Sequence, residues 1–190
     1  MANNKVKFGL SEVHIAPITE VTSNGYTYGT IFAIPGAVSI TLDRSGDETD
    51  FYADNIKYFN ESANQGYTGS LEMALLNEDF RTKILNEVKD TNGALIEDAT
   101  KGTNQFALGF QIDGDKANRR FWYYNVTATR PSNSSTTIES SKEPQTETVD
   151  ITAAPRATDK LVRAVLEKTD DNTAVYNSFF STVYESEISG

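Results

Sequence analysis

The chain has 190 residues, no cysteine and a formal net charge of -10. A globule of that length holds a core without disulfides, and the lack of cysteine removes thiolate metal sites and cysteine nucleophiles together. The acidic balance excludes tight nucleic-acid binding, which needs basic groups to displace phosphate counterions.

The opening "MANNKVKFGLSEVH" is polar and lacks the apolar centre of a signal peptide. No run approaches the roughly 20 apolar residues of a membrane helix. The expectation is a soluble, single-domain protein (1–190) made and kept in the cytosol. His14, the one histidine, lies in "EVHIAPI" between Val13 and Ile15, on an expected strand. "NGY" at Asn24 reads as a turn.

"AVSITLD" alternates Val38, Ile40 and Leu42 against Ser39, Thr41 and Asp43. The acid-rich "LDRSGDETDFYAD" follows, then a turn at Asn64 in "NQG". "YTGSLEMALL" sets Tyr67, Leu71, Met73 and Leu75 against Thr68, Ser70 and Glu72. In "NEDFRTKILNEVKD" the spacing turns helical. Asn77 is a cap, Glu78 and Asp79 suit the N-terminal end, Asp79 and Lys83 sit four apart, and Phe80, Ile84 and Val88 share a stripe.

"QFALGFQID" alternates Phe106, Leu108, Phe110 and Ile112 against Gln105, Gln111 and Asp113. "DGD" at Asp113–Asp115 separates that strand from "RRFWYYNVTA" and reads as a hairpin turn, since Gly114 tolerates positive φ. Phe121 and Tyr123 fall on one face there and Trp122 and Tyr124 on the other, so one face meets the core and the other a second surface, by its charge a protein surface. A polar arm of about fifteen residues then runs from Pro131 to Gln145, unusually long for a compact domain. "TETVDITAA" returns to alternation, Val149, Ile151 and Ala153 against Thr148, Asp150 and Thr152. "DDNTAVYNSFFSTVY" carries two helical stripes, Val175–Phe179–Val183 and Tyr176–Phe180–Tyr184, although its β-branched and aromatic content also suits a strand. One apolar face per strand predicts a mainly β (α+β) fold, a sandwich or barrel, with a flanking helix and a long loop at about 130–146.

Chemistry is scarce. A Ser-His-Asp triad would have to use His14, and a lone strand histidine reads as structural. One His and no Cys cannot build a zinc set. The acids Asp43, Asp47, Glu48, Asp50 and Asp54 do not follow the EF-hand spacing and read as a solvated turn, as does "DGD". Glu72 has no evident partner for glycoside hydrolysis. Neither phosphate-binding glycine loop occurs. Asn60, Asn125 and Asn133 open glycosylation patterns, with nothing to suggest secretion. No catalytic, cofactor or metal residues are assigned, and the chain reads as an assembly or binding module, not an enzyme.

Five segments carry a resemblance: "KVKFGLSEVHIAPITE", "AIPGAVSITLDRSGDETDFYADNIKYFNESANQGYTGSLEMALL", "QIDGDKANRRFWYYNVTATRPS", "ESSKEPQTETVDITAAPR" and "TAVYNSFFSTVYE". In that order, over nearly the whole chain, they resemble the major tail proteins of long-tailed phages with non-contractile tails. The resemblance implies a β-sandwich-like tail tube domain with a flanking helix. It implies hexameric rings that stack into a tube around the tape measure protein and later conduct the genome. Partners would be further copies of the chain, the tape measure protein, and the tail terminator and distal tail proteins. DNA would pass without specific binding, no membrane would be involved, and the protein, made in the host cytoplasm, would end in the virion tail.

With that role, the arm is expected to reach a neighbouring subunit or ring through Arg130, Pro131, Asn133, Glu139, Lys142, Glu143 and Pro144. The prolines stiffen it and Lys142 beside Glu139 and Glu143 offers both charge signs. Six copies at -10 give roughly -60 per ring. Asp43, Glu72 and Asp150, on polar strand faces, are the candidates for lining the lumen. The rival reading is a monomeric β-sandwich that binds glycans or a host surface, with a two-carboxylate glycosidase behind it.

Overall fold

The computed structural model describes residues 4–23, 25–46, 48–53, 56–133, 135, 137 and 144–186. Glu139, Lys142 and Glu143 lie outside them, as do Asn24, Asp47 and Asp54. The strands are β1 (Lys7–Thr22), β2 (Gly25–Tyr28), β3 (Phe32–Ala33), β4 (Ala37–Ser45), β5 (Glu48–Ala53), β6 (Ile56–Ser62) and β7 (Gly66–Met73). After helix α1 (Glu78–Lys83) come β8 (Val88–Lys89), β9 (Leu95–Ile96), β10 (Phe106–Gly114), β11 (Arg119–Ala128), β12 (Glu147–Ala153), β13 (Arg163–Glu167) and helix α2 (Thr173–Ser178).

The fold is mainly β, as expected. A nine-stranded sheet runs in the order β2-β1-β10-β11-β12-β7-β4, with β13 on β11 and β3 on β1. Its pairings are antiparallel. Hairpins β5-β6 and β8-β9 stand apart from it. The sheet curls without closing, so its two halves face each other as a sandwich would. Val13, Ile15, Leu108 and Phe110 from β1 and β10 meet Ile40, Leu71, Val149 and Ile151 from β4, β7 and β12 in one apolar cluster.

Helix α1 plugs one end. Asn77 Oδ1 accepts from the Phe80 amide at 2.9 Å, and Phe80 meets Phe106 edge-on at 5.9 Å. Arg81 pairs with Glu147 at 2.5 Å, tying the helix to β12. The expected helix is cut short after Ile84. Asn86 turns the chain at φ 58, and its side chain pairs reciprocally with that of Asn104. Val88 therefore leaves the stripe and is 48% exposed.

Three other local expectations change. A register shift between Ala37 and Ser39 gives the inward place to Ala37 and leaves Val38 exposed. β7 ends at Met73, so Leu75 points out and Leu76 in. Gly114 is required for space and not for φ, because a Cβ there would lie 2.5 Å from both the Ala117 carbonyl and Asn4 Nδ2. Asn4 uses that space to clamp the hairpin turn, donating to Ala117 O at 2.6 Å and accepting from the Lys116 and Ala117 amides.

The largest departure is the outer face of β10 and β11. Phe106 through Gln111 and Phe121 through Val126 are buried on both sides. Trp122, Tyr124, Ala107 and Ala16 form a second cluster, covered by Phe179 and Val183 of the segment after α2. The second surface expected for the aromatic face is the chain's own C-terminal segment. Within that segment the two stripes merge: Tyr176, Phe179 and Val183 are buried while Val175 is 44% exposed. Asn125 is also buried, so its glycosylation pattern is closed to a glycan.

Candidate functional site

The sheet's outer face divides in two. On β11 an extra residue falls between Tyr123 and Val126, because Leu108 pairs with Tyr123 and Phe106 with Val126. That bulge switches the alternation, so Trp122 and Tyr124 share the outer face with Thr127. Beyond it the covering segment ends and a polar face begins.

Register fixes that face. Ser39, Glu72 and Thr148 form one row across β4, β7 and β12; Thr41, Ser70 and Asp150 the next; Asp43, Thr68 and Thr152 the third. Thr127 of β11 extends the last row beside Thr152. Every position holds a hydroxyl or a carboxylate, and all are exposed except the half-buried Ser70 and Glu72. The acids expected from separate segments thus share one surface. Each sits in a different row and on a different strand, so no two face each other directly, an arrangement that spreads negative charge without cross-strand repulsion. Glu72 accepts from Thr146 Oγ1 at 2.7 Å and Ser39 Oγ at 2.8 Å, and these hydroxyls hold its carboxyl below the usual range.

This polar patch ends at β4. Among the described residues β4 pairs with β7 alone, leaving the other edge of the strand without a ladder partner.

The arm is rooted at the same side. Thr129 donates to Asp150 O at 2.9 Å, and the arm rejoins the sheet at Thr146, on Glu72. Arg130 is committed within the chain: it donates to the carbonyls of Leu85 at 3.1 Å and Lys101 at 2.8 Å and pairs with Glu97 at 3.1 Å. It thus fastens the base of the arm to the loop beyond α1. Pro131 is half-buried, Asn133 and Pro144 are exposed.

His14 is stacked on Phe180 at 4.5 Å, with Nδ1 2.8 Å from the Glu12 carbonyl. It borders an open groove of about 710 Å³ with Tyr26, Tyr28, Ile31 and Val183. Among the described residues no group of His, Asp and Glu is placed to hold a metal.

Beside that groove lies a network that the sequence did not announce. Arg156 is 4% exposed. It donates to both oxygens of Glu185, at 2.7 and 2.9 Å, to both oxygens of Asp159 and to Tyr28 Oη, and its guanidinium lies 4.4 Å from the Tyr124 ring. Burial alone would lower its pKa, but the bonds to Glu185, Asp159 and Tyr28 outweigh that and raise it. Trp122 Nε1 donates to Phe179 O at 2.7 Å and Arg120 to Tyr176 O at 2.5 Å. Together these contacts latch the C-terminal segment over the aromatic half of the sheet.

No protein-family model matches the chain, and no curated protein matches it. Among solved structures, the cap that terminates the anti-feeding prophage tube aligns with a TM-score of 0.45 and 11% identity, over 88% of this chain and 97% of that one. At that score the likeness is too loose to carry a statement about this chain.

Proposed function

We propose that the chain is a structural protein of a phage tail, specifically a major tail protein. Its copies polymerise as stacked hexameric rings into the tail tube around the tape measure protein, and the bore conducts the genome on ejection. The chain is not an enzyme in this reading. It is made in the bacterial host cytoplasm, resides in the virion tail, and meets the tail terminator and distal tail proteins at the tube ends.

The observation that carries the reading is the shared placement of Asp43, Glu72 and Asp150 on one uncovered face of hydroxyls and carboxylates. Such a face suits a bore, because it repels phosphate and offers it no cation. The ordered sequence segments support the same reading. A ring needs a heterologous contact, and the open edge of β4 offers a neighbouring copy backbone donors and acceptors. The arm supplies the contact between copies through Pro131, Asn133, Glu139, Lys142, Glu143 and Pro144. Arg130 sets its base.

The test begins with negative-stain microscopy of the purified chain over a concentration series. Because there is no cysteine, Asp150→Cys creates a single thiol. That thiol should react with a bulky maleimide in the monomer and be shielded in tubes, while a small maleimide reaches it in both. Labelling of assembled tubes by the bulky reagent would place the face outside and refute the lumen assignment. Deleting residues 133–142 should leave a folded monomer that does not polymerise, and normal tubes from that deletion would refute the role of the arm. A strictly small oligomer stabilised by added glycan would favour the binding-module reading instead.

A further inference from the structure

The tip of hairpin β8-β9 concentrates an unusual chemistry. Asp90 N donates to Ala94 O at 2.9 Å, and Gly93 N donates back to Asp90 O at 3.1 Å. Asp90 Oδ1 accepts from the Asn92 and Ala94 amides, both at 2.8 Å. Gly93 closes the turn at φ 88, as the left-handed position of a three-residue hairpin loop requires. One aspartate thus ties up the turn's backbone. The Asn92 side-chain amide is exposed and makes no hydrogen bond with a described residue. Gly93 is open as well: a Cβ there would meet only Lys89 Cε, at 3.9 Å.

We propose that Asn92 is a site of spontaneous deamidation, held in check by the Asp90 clamp. The Gly93 nitrogen gives its proton to solvent base and attacks Asn92 Cγ. The new N–C bond forms as the bond from Cγ to the side-chain nitrogen breaks, and ammonia leaves. Water then opens the succinimide at either carbonyl, yielding aspartate or isoaspartate. Glycine permits the ring closure because no side chain crowds the attacking nitrogen. No oxidant, reductant or cofactor is consumed.

The isoaspartyl product lengthens the backbone by a methylene inside the turn, so Asp90 can no longer satisfy the same amides. Either product also sets a second carboxylate beside Asp90. The hairpin has little to resist this: its strands are Val88–Lys89 and Leu95–Ile96, and Val88 and Ile96 are 48% and 51% exposed. Among the described residues its outside tie is the exposed pair of Lys89 with Glu78, at 2.7 Å.

The test is peptide mapping by mass spectrometry of the intact folded chain after prolonged incubation at 37 °C in mildly alkaline buffer. The peptide containing Asn92 should gain the mass of an amide-to-carboxyl exchange and split into aspartyl and isoaspartyl forms. Asn92→Gln should abolish the gain. Asp90→Ala, checked for folding by circular dichroism, should raise the rate several-fold. An Asn92 peptide that stays unmodified in the folded chain while converting in urea would overturn the site. An unchanged rate in folded Asp90→Ala would overturn the clamp.

Discussion

Replacing Arg156 by alanine removes the most buried charge in the described structure and isolates what the C-terminal latch contributes. The Arg156 side chain is 5% exposed, whereas Asp159 and Glu185 are 40% and 51% exposed. Losing one partner of a buried pair costs about 3–5 kcal/mol when the remaining charge stays desolvated. Here both remaining carboxylates can hydrate, so the cost falls below that range, to about 2 kcal/mol. At about 2 kcal/mol per molar in urea, the midpoint should fall by about 1 M. Trp122, the one tryptophan, reports on the latch through its bond to Phe179 O. Urea titrations followed by its fluorescence and by far-UV circular dichroism should separate in Arg156→Ala, with fluorescence changing first. Arg156→Met, which keeps an unbranched apolar side chain of similar reach in the buried position, should recover part of the loss. A midpoint shift under about 0.25 M in Arg156→Ala, about 0.5 kcal/mol, would refute the argument that this cluster holds the segment down.

Two further outcomes follow from the geometry. In Gly69→Ala the new Cβ would lie 1.9 Å from the Thr41 carbonyl oxygen, so β4 must shift against β7; a loss of about 1–3 kcal/mol and of amide protection across Ile40–Leu42 is expected, and unchanged exchange would contradict it. Burial pushes the Tyr28 hydroxyl from about 10 up to about 12, and burial also raises Tyr123, Tyr124 and Tyr176. These tyrosines are held neutral in the fold, so the contribution of each is complete below the unfolded value near 10 and is lost as pH rises through its own raised folded value, about 12 for Tyr28. Melting temperature should fall across that window, and less steeply in Tyr28→Phe; an identical slope in the variant would remove Tyr28 from the account.

Strands β4, β7 and β12 were readable in the sequence because one of their faces stays in water. Alternation of Ile40 with Thr41, or of Val149 with Asp150, records that asymmetry residue by residue. The α1 cap was equally local: Asn77, Glu78 and Asp79 act within one turn. The placement of Asp43, Glu72 and Asp150 on polar strand faces was readable for the same reason. Their union on one surface was not, because alternation says nothing of strand order. The same gap hid Arg156, whose partners Tyr28 and Glu185 are far away along the chain, and the commitment of Arg130 to the loop beyond α1.

The amino-acid sequence by itself determined which residues could stand in a strand, where the first helix starts, and that no cysteine chemistry is present. Those properties depend on neighbours within a few residues. Only the tertiary structure decided which aromatic face is covered and by what, where bulges at Ala37–Ser39 and Tyr123–Val126 switch the alternation, and which strand is left as an edge. Each of these depends on the partner that a segment meets across space, and one inserted residue in a ladder reverses every side chain beyond it.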